Sequence, residues 1–199
     1  TLPEEVQTLP AMLDNYGYHS ANLGKLHFLP HANRDHRETH PKYGFDQVEI
    51  SDEPGSYPDA YRKWVERKDS GALDDVSVGL PPATTRWPAD IGVDDIEHPD
   101  PRFTVESRPF PADADLTHTA FVADRTLSYV ESRADDEPFL GIAGFYSPHS
   151  PWVAPQEYLD LYDPDDLSVP ECPPDVEAER ERIAENADPD DPTAETFTD

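Results

Sequence analysis

Apolar positions along this chain follow two patterns, recurring every three to four residues in some stretches and running almost unbroken in others. Leu9, Met12, Leu13 and Tyr16 recur at helical spacing. Thr8 stands ahead of them as an N-cap, Pro10 is tolerated in the first turn, and Gly17 suits the stop. Tyr18 to Leu23 is too short for another helix and predicts a strand ended by Gly24. A polar, histidine-rich loop runs from Leu29 to Pro41, and residues 43–50, YGFDQVEI, predict a second short strand. Tyr57, Tyr61, Trp64, Val65 and Lys68 mark one face of a helix closed by Gly71. Residues 72–112 hold many prolines and no sustained period, which predicts an extended excursion over the surface. Leu116, Ala120, Ala123, Leu127 and Val130 form the next helical stripe, ending near Arg133. Phe139 to Phe145 is almost continuously apolar, as expected of a strand covered on both faces in a parallel sheet. From Asp163 onward the chain is acidic and proline-rich and predicts loop, apart from a weak helix around Val176 to Ala187.

Helix, buried strand and charged loop therefore occur twice. Lys25 and His27 lie just past the first strand, and His149, in SPHSP, just past the later one. In open α/β sheets the carboxyl edge of the strands is where ligands bind. Two chain-distant segments are thus predicted to converge on one pocket.

Charge narrows the partners. Asp and Glu number 43 against 15 Lys and Arg, a net charge of −28. That argues against nucleic acid, whose phosphates need a concentrated basic surface. The carboxylate excess resembles proteins working in high salt, where self-repulsion is screened; it favours the cytoplasm of a high-salt cell, with secretion as the other possibility. No run approaches the ~18 apolar residues of a membrane span, and no signal peptide is visible. The single cysteine, Cys172, argues against an internal disulfide and a cysteine-built metal site.

Alternate residues of an extended chain point the same way, so Lys25 and His27 can share a face while Leu26 turns inward. An ammonium and an imidazole side by side suit a tetrahedral oxyanion such as sulfate or phosphate. For the bare pair, the blander reading of a surface lysine beside a satisfied histidine carries more weight. The surrounding twelve residues, GYHSANLGKLHF at 17–28, reverse that balance. They resemble the second sulfatase signature, with Gly17, Tyr18, Ser20, Leu23, Gly24, Lys25 and His27 in its positions. YGFD at 43–46 and FYSPHSPWVAPQEYLDLYDP at 145–164 follow in an order similar to sulfatases, the latter like the family's histidine–proline loop.

That resemblance implies an α/β fold of the alkaline phosphatase superfamily, a mixed, largely parallel sheet sandwiched between helices, here incomplete. It implies catalytic roles for three residues: Lys25 on the sulfate and the nucleophile, His27 assisting the nucleophile, and His149 on the sulfate or leaving-group oxygen. Arg34 and Arg37, in the loop at the pocket mouth, are candidate substrate contacts. The family's cofactors would be a formylglycine and a divalent metal, usually calcium, both from segments not found in this sequence. The formylglycine arises from a Cys-x-Pro-Ser-Arg signature; Cys172 stands in CPPDV, with Asp175 and Val176 in place of Ser-Arg and in the wrong order along the chain. On this reading, residues 1–170 are the middle of a sulfatase catalytic domain and 171–199 an acidic, proline-rich segment. The chain would serve cleavage of a small-molecule or glycan sulfate ester. The rivals are a phosphonate monoester or phosphodiester hydrolase of the same superfamily and a non-catalytic remnant. A zinc site on His27, His31, His36 and His40 is the lesser alternative, because HRETH lacks the His-Glu-x-x-His order and is flanked by prolines.

Overall fold

The Thr8 hydroxyl accepts from the Ala11 N–H at 3.4 Å and donates to the Tyr43 carbonyl at 2.5 Å, which starts helix α1 (Leu9–Asp14). The computed structural model describes residues 2–29, 38–78, 107–168 and 175–186. Arg34, Arg37, His31, His36 and Cys172 lie outside the described residues. By contacts the chain divides into two compact units, 1–159 and 160–199.

In the first unit a three-stranded parallel sheet has the order β2–β1–β4. Strand β1 (His19–Gly24) lies between β2 (Gln47–Ile50) and β4 (Phe139–Gly144), and its Ala21 and Leu23 are fully buried. Its start is pinned by Asp46, which accepts from the Ser20 N–H at 2.7 Å and from its hydroxyl at 3.2 Å. That backbone bond holds the Asp46 carboxyl below the usual carboxylate range. Helix α2 (Ala60–Lys68) is capped by Asp59, whose Oδ1 accepts from the Arg62 N–H at 3.0 Å. The long helix α3 (His118–Glu131) is capped by Thr117. The two helices share a core of Tyr61, Trp64, Val65, Val76, Leu116, Phe121 and Val122. Arg125 of α3 ties back to Glu49 of β2 through two bonds of 2.8 and 3.0 Å. A second, two-stranded parallel sheet joins β3 (Arg108–Pro109) to β5 (Val153–Ala154), and the short helix α4 (Gln156–Leu159) follows. In the second unit, helix α5 spans Val176–Asn186. No described helix is long and apolar enough to cross a membrane.

The chain is thus a mixed α/β fold with parallel strands and packed helices, as expected, but three faces differ from the sequence pattern. The stripe from Leu116 to Val130 is buried only at its start: Leu116 lies in the core, whereas Leu127 is 63 % and Val130 45 % exposed. Helix α3 buries His118, Phe121, Val122 and Tyr129 instead, because two aromatic rings remove far more apolar area from water than an alanine-rich stripe can. Helix α1 likewise leaves Leu9 and Met12 exposed, and Tyr16 just beyond its end is exposed too. Strand β4, expected to be covered on both faces, is largely exposed, with Phe139 at 41 %. It is the sheet's edge among the described residues, and Tyr129 of α3 packs against its Phe139–Gly141 segment. Arg108–Pro109 is regular structure within what the sequence reads as an excursion, whose start at residue 72 overlaps the end of a short turn of helix, Ser70–Ala72; residues 79–106 of it lie outside the described residues.

Candidate active site

The parallel register sets Gly24 of β1 beside Gly144 of β4, and the Lys25 N–H donates to the Gly144 carbonyl at 2.7 Å. Both positions need glycine. Gly24 has φ +99°, and a Cβ there would meet the Gly144 carbonyl and stand 2.7 Å from Val122 Cγ2. A Cβ on Gly144 would overlap the Lys25 backbone. The close approach brings the residues leaving β1 and β4 to one edge of the sheet, its carboxyl edge.

Three strand ends meet there. Past β1, Leu26 turns into a small core with Phe45 and Ile50, while Lys25 stays half-buried and His27 is exposed. Past β2 comes Asp52, fully buried. Its Oδ1 accepts from the Leu26 N–H at 2.6 Å, and its backbone carbonyl accepts from Lys25 Nζ at 3.2 Å. Burial raises the Asp52 carboxyl, and the Leu26 bond and the charges of His27, Lys25 and His40 counter it. Past β4 comes Tyr146, whose ring centre lies 4.9 Å from Lys25 Nζ and 5.0 Å from the His149 ring. Lys25 and His149 are thereby brought together, while exposed His27 acts on Asp52 only through its charge.

The loop carrying His149 is held at both ends. It leaves β4 and re-enters the small sheet at β5, where the Arg108 N–H bonds the Trp152 carbonyl at 3.0 Å and the Phe110 N–H the Ala154 carbonyl at 2.8 Å. Within it, the Tyr146 hydroxyl donates to the Ser150 carbonyl, and the His149 N–H bonds the Tyr146 carbonyl at 3.1 Å. His149 Nδ1 is 2.5 Å from the Ser150 carbonyl. A carbonyl only accepts, so Nδ1 carries the hydrogen and Nε2 is the nitrogen left for a ligand. Beside Tyr146 opens a cavity of about 420 Å³ lined by Tyr61, Val76, Phe110, His118, Tyr146 and Tyr158. His118 is buried in its wall. Its Nε2 meets the Ser51 carbonyl at 3.1 Å, and burial pushes its pKa down to about 4, so the ring is neutral and Nε2 is the donor.

Together these groups can bind a tetrahedral anion against one ammonium and one imidazole, with a second imidazole at the rim. Among the described residues no three His, Cys, Asp or Glu side chains are arranged to hold a metal ion. Sequence reasoning missed Asp52 and Tyr146. The signal for Asp52 was its place just after a predicted strand; Tyr146 offered only its nearness to SPHSP.

Against known families, the sequence model of the sulfatases matches residues 1–175. The chain belongs to the sulfatase family. A curated arylsulfatase of Clostridium perfringens (strain 13 / Type A) is 24 % identical over 177 residues, covering 82 % of this chain and 31 % of that protein. The multifunctional alkaline phosphatase superfamily protein PehA of Trinickia caryophylli is 32 % identical over 81 residues, 41 % of this chain and 15 % of the relative. This sulfatase-family chain therefore spans less than a third of the length of either relative.

Proposed function

We propose that residues 1–170 form the anion-binding part of a sulfuric ester hydrolase, with Lys25, His27 and His149 as the groups that meet the sulfate ester. The observation that carries this reading is the meeting of Lys25 and His149 across Tyr146, at the carboxyl ends of β1 and β4. Lys25 would neutralise charge on the non-bridging oxygens; the Asp52 carbonyl takes one of its three N–H donors and so aims the others. His149 would present Nε2 to the leaving oxygen, as donor when the ring is protonated. The S–O bond breaks, the alcohol leaves with one proton, and sulfate carries the oxygen delivered by water. His27, exposed at the turn after Leu26, would move the proton at the nucleophile's side. Arg34 and Arg37, which lie outside the described residues, are further candidates for substrate contact. The cavity beside Tyr146 gives the ester's organic part an apolar seat, which suits an aryl or similar small-molecule ester. The formylglycine and the metal, calcium by resemblance, would come from segments other than those described.

A second reading has one observation in its favour, the match to a multifunctional superfamily protein. It is a phosphodiester or phosphonate monoester hydrolase using the same pocket. The test is hydrolysis of 4-nitrophenyl sulfate against bis(4-nitrophenyl) phosphate by the complete enzyme supplied with calcium. A higher kcat/KM for the sulfate supports the first reading and a higher value for the phosphate the second. Turnover of neither would sink both.

A further inference from the structure

Tyr146 touches both halves of the site at once. Its ring lies under Lys25 Nζ at 4.9 Å and is tilted 38° against the His149 ring at 5.0 Å, while its hydroxyl closes the 146–150 loop on the Ser150 carbonyl. The ring is 5 % exposed and is backed by His118, edge-on at 6.3 Å. Burial raises its phenol, so the hydroxyl remains a neutral donor. An ammonium over an aromatic face is attracted by the ring quadrupole, and more strongly where water is excluded. Lys25 is therefore held from two sides, by the Asp52 carbonyl and by this ring.

Resting on the sulfate-ester reading, we propose that Tyr146 is a positioning residue: its ring sets the spacing between the Lys25 ammonium and the His149 imidazole, so that the two grip one tetrahedral anion as a unit. The contribution of Tyr146 is to keep two flexible, chain-distant side chains from losing that spacing between turnovers.

A double-mutant cycle in the complete enzyme tests this, with 4-nitrophenyl sulfate as substrate and inorganic sulfate as competing ligand. Tyr146→Phe keeps the ring and is expected to retain kcat/KM within about five-fold. Tyr146→Leu removes the aromatic face and is expected to lower kcat/KM about 10- to 100-fold and to weaken inhibition by sulfate comparably. In a Lys25→Ala background the same change is expected to cost less than about three-fold, since the group it positions is gone. A full, multiplicative loss in that background would mean that Tyr146 only supports the fold, and would overturn the proposal. So would a Tyr146→Leu enzyme with unchanged kcat/KM. Should Tyr146→Leu fail to fold, pentafluorophenylalanine at 146 takes its place, keeping the shape and reversing the quadrupole, with the same outcomes expected. Lys25→Ala alone separates the two levels. If it is unimpaired, the sulfate-ester reading itself fails; if it is impaired while Tyr146 acts additively, only the positioning role is lost.

Discussion

Glu53 is a carboxyl buried one residue beyond the Asp52 that braces Lys25. Burial pushes it up to about 7, a hydrogen bond with Tyr57 opposes the rise, and repulsion from Asp52 adds to it. Below the ordinary value of 4.5 the group is protonated folded or unfolded; between 4.5 and about 7 the folded chain keeps a proton that the unfolded chain releases. Its contribution to stability is thus fully present below the lower value and is lost as the pH rises through the upper one. Glu53→Gln should abolish that decline, raising the unfolding free energy near pH 8 by of order 1–3 kcal/mol and leaving it unchanged near pH 4. Urea titrations in high-salt buffer at the two pH values check this, and equal curves at pH 8 would contradict it. At this scale the sequence offers Lys25, His27 and His149 as candidates because a dense local motif surrounds them. It does not offer Asp52 and Tyr146, because their contacts depend on the register of β1 with β2 and β4, which no local pattern encodes.

Among the elements, the parallel sheet depends on two glycines. Gly144→Ala would drive a Cβ into the Lys25 backbone, with its amide nitrogen 2.7 Å away, and either part β1 from β4 or shift Lys25. The expected loss is roughly 1–3 kcal/mol, the usual result of overpacking, seen as a lower urea midpoint at unchanged slope. An unaltered midpoint would show that the strand ends are not locked together. The longer helices and the three strands of the parallel sheet were legible from periodicity and capping, down to the Thr8 cap, whereas β3, β5 and α4 were too short to carry a pattern. The buried faces were read less well. Periodicity counts apolar positions equally, whereas packing weighs them by area, so Phe121 and Tyr129 outweighed Ala120, Ala123 and Leu127 in α3. For β4 the unbroken apolar run correctly gave a strand, but which of its faces meets a neighbour is a property of the sheet around it.

For the whole molecule, a charge of −28 and apolar residues left open on β4 and α1 act in the same direction. Carboxylate repulsion opposes compaction, and Phe139, Ile142 and Phe145 offer an uncovered strand to other chains. The 199-residue chain alone should bind an apolar dye and aggregate in dilute buffer. Its thermal midpoint should rise by several degrees between about 0.01 M and about 1 M KCl, as the screening length falls from ~30 Å to ~3 Å. A sharp, salt-independent transition without dye binding would contradict this. The central claim is that the edge where β1, β2 and β4 end is a sulfate-ester site built on Lys25. Its most direct test is the release of 4-nitrophenol from 4-nitrophenyl sulfate by the complete enzyme, calcium supplied, before and after Lys25→Ala. Removing one preorganised charge from the transition state should lower kcat by roughly 10²–10³ while the variant keeps its fold by circular dichroism. A folded Lys25→Ala enzyme with undiminished turnover would contradict the account.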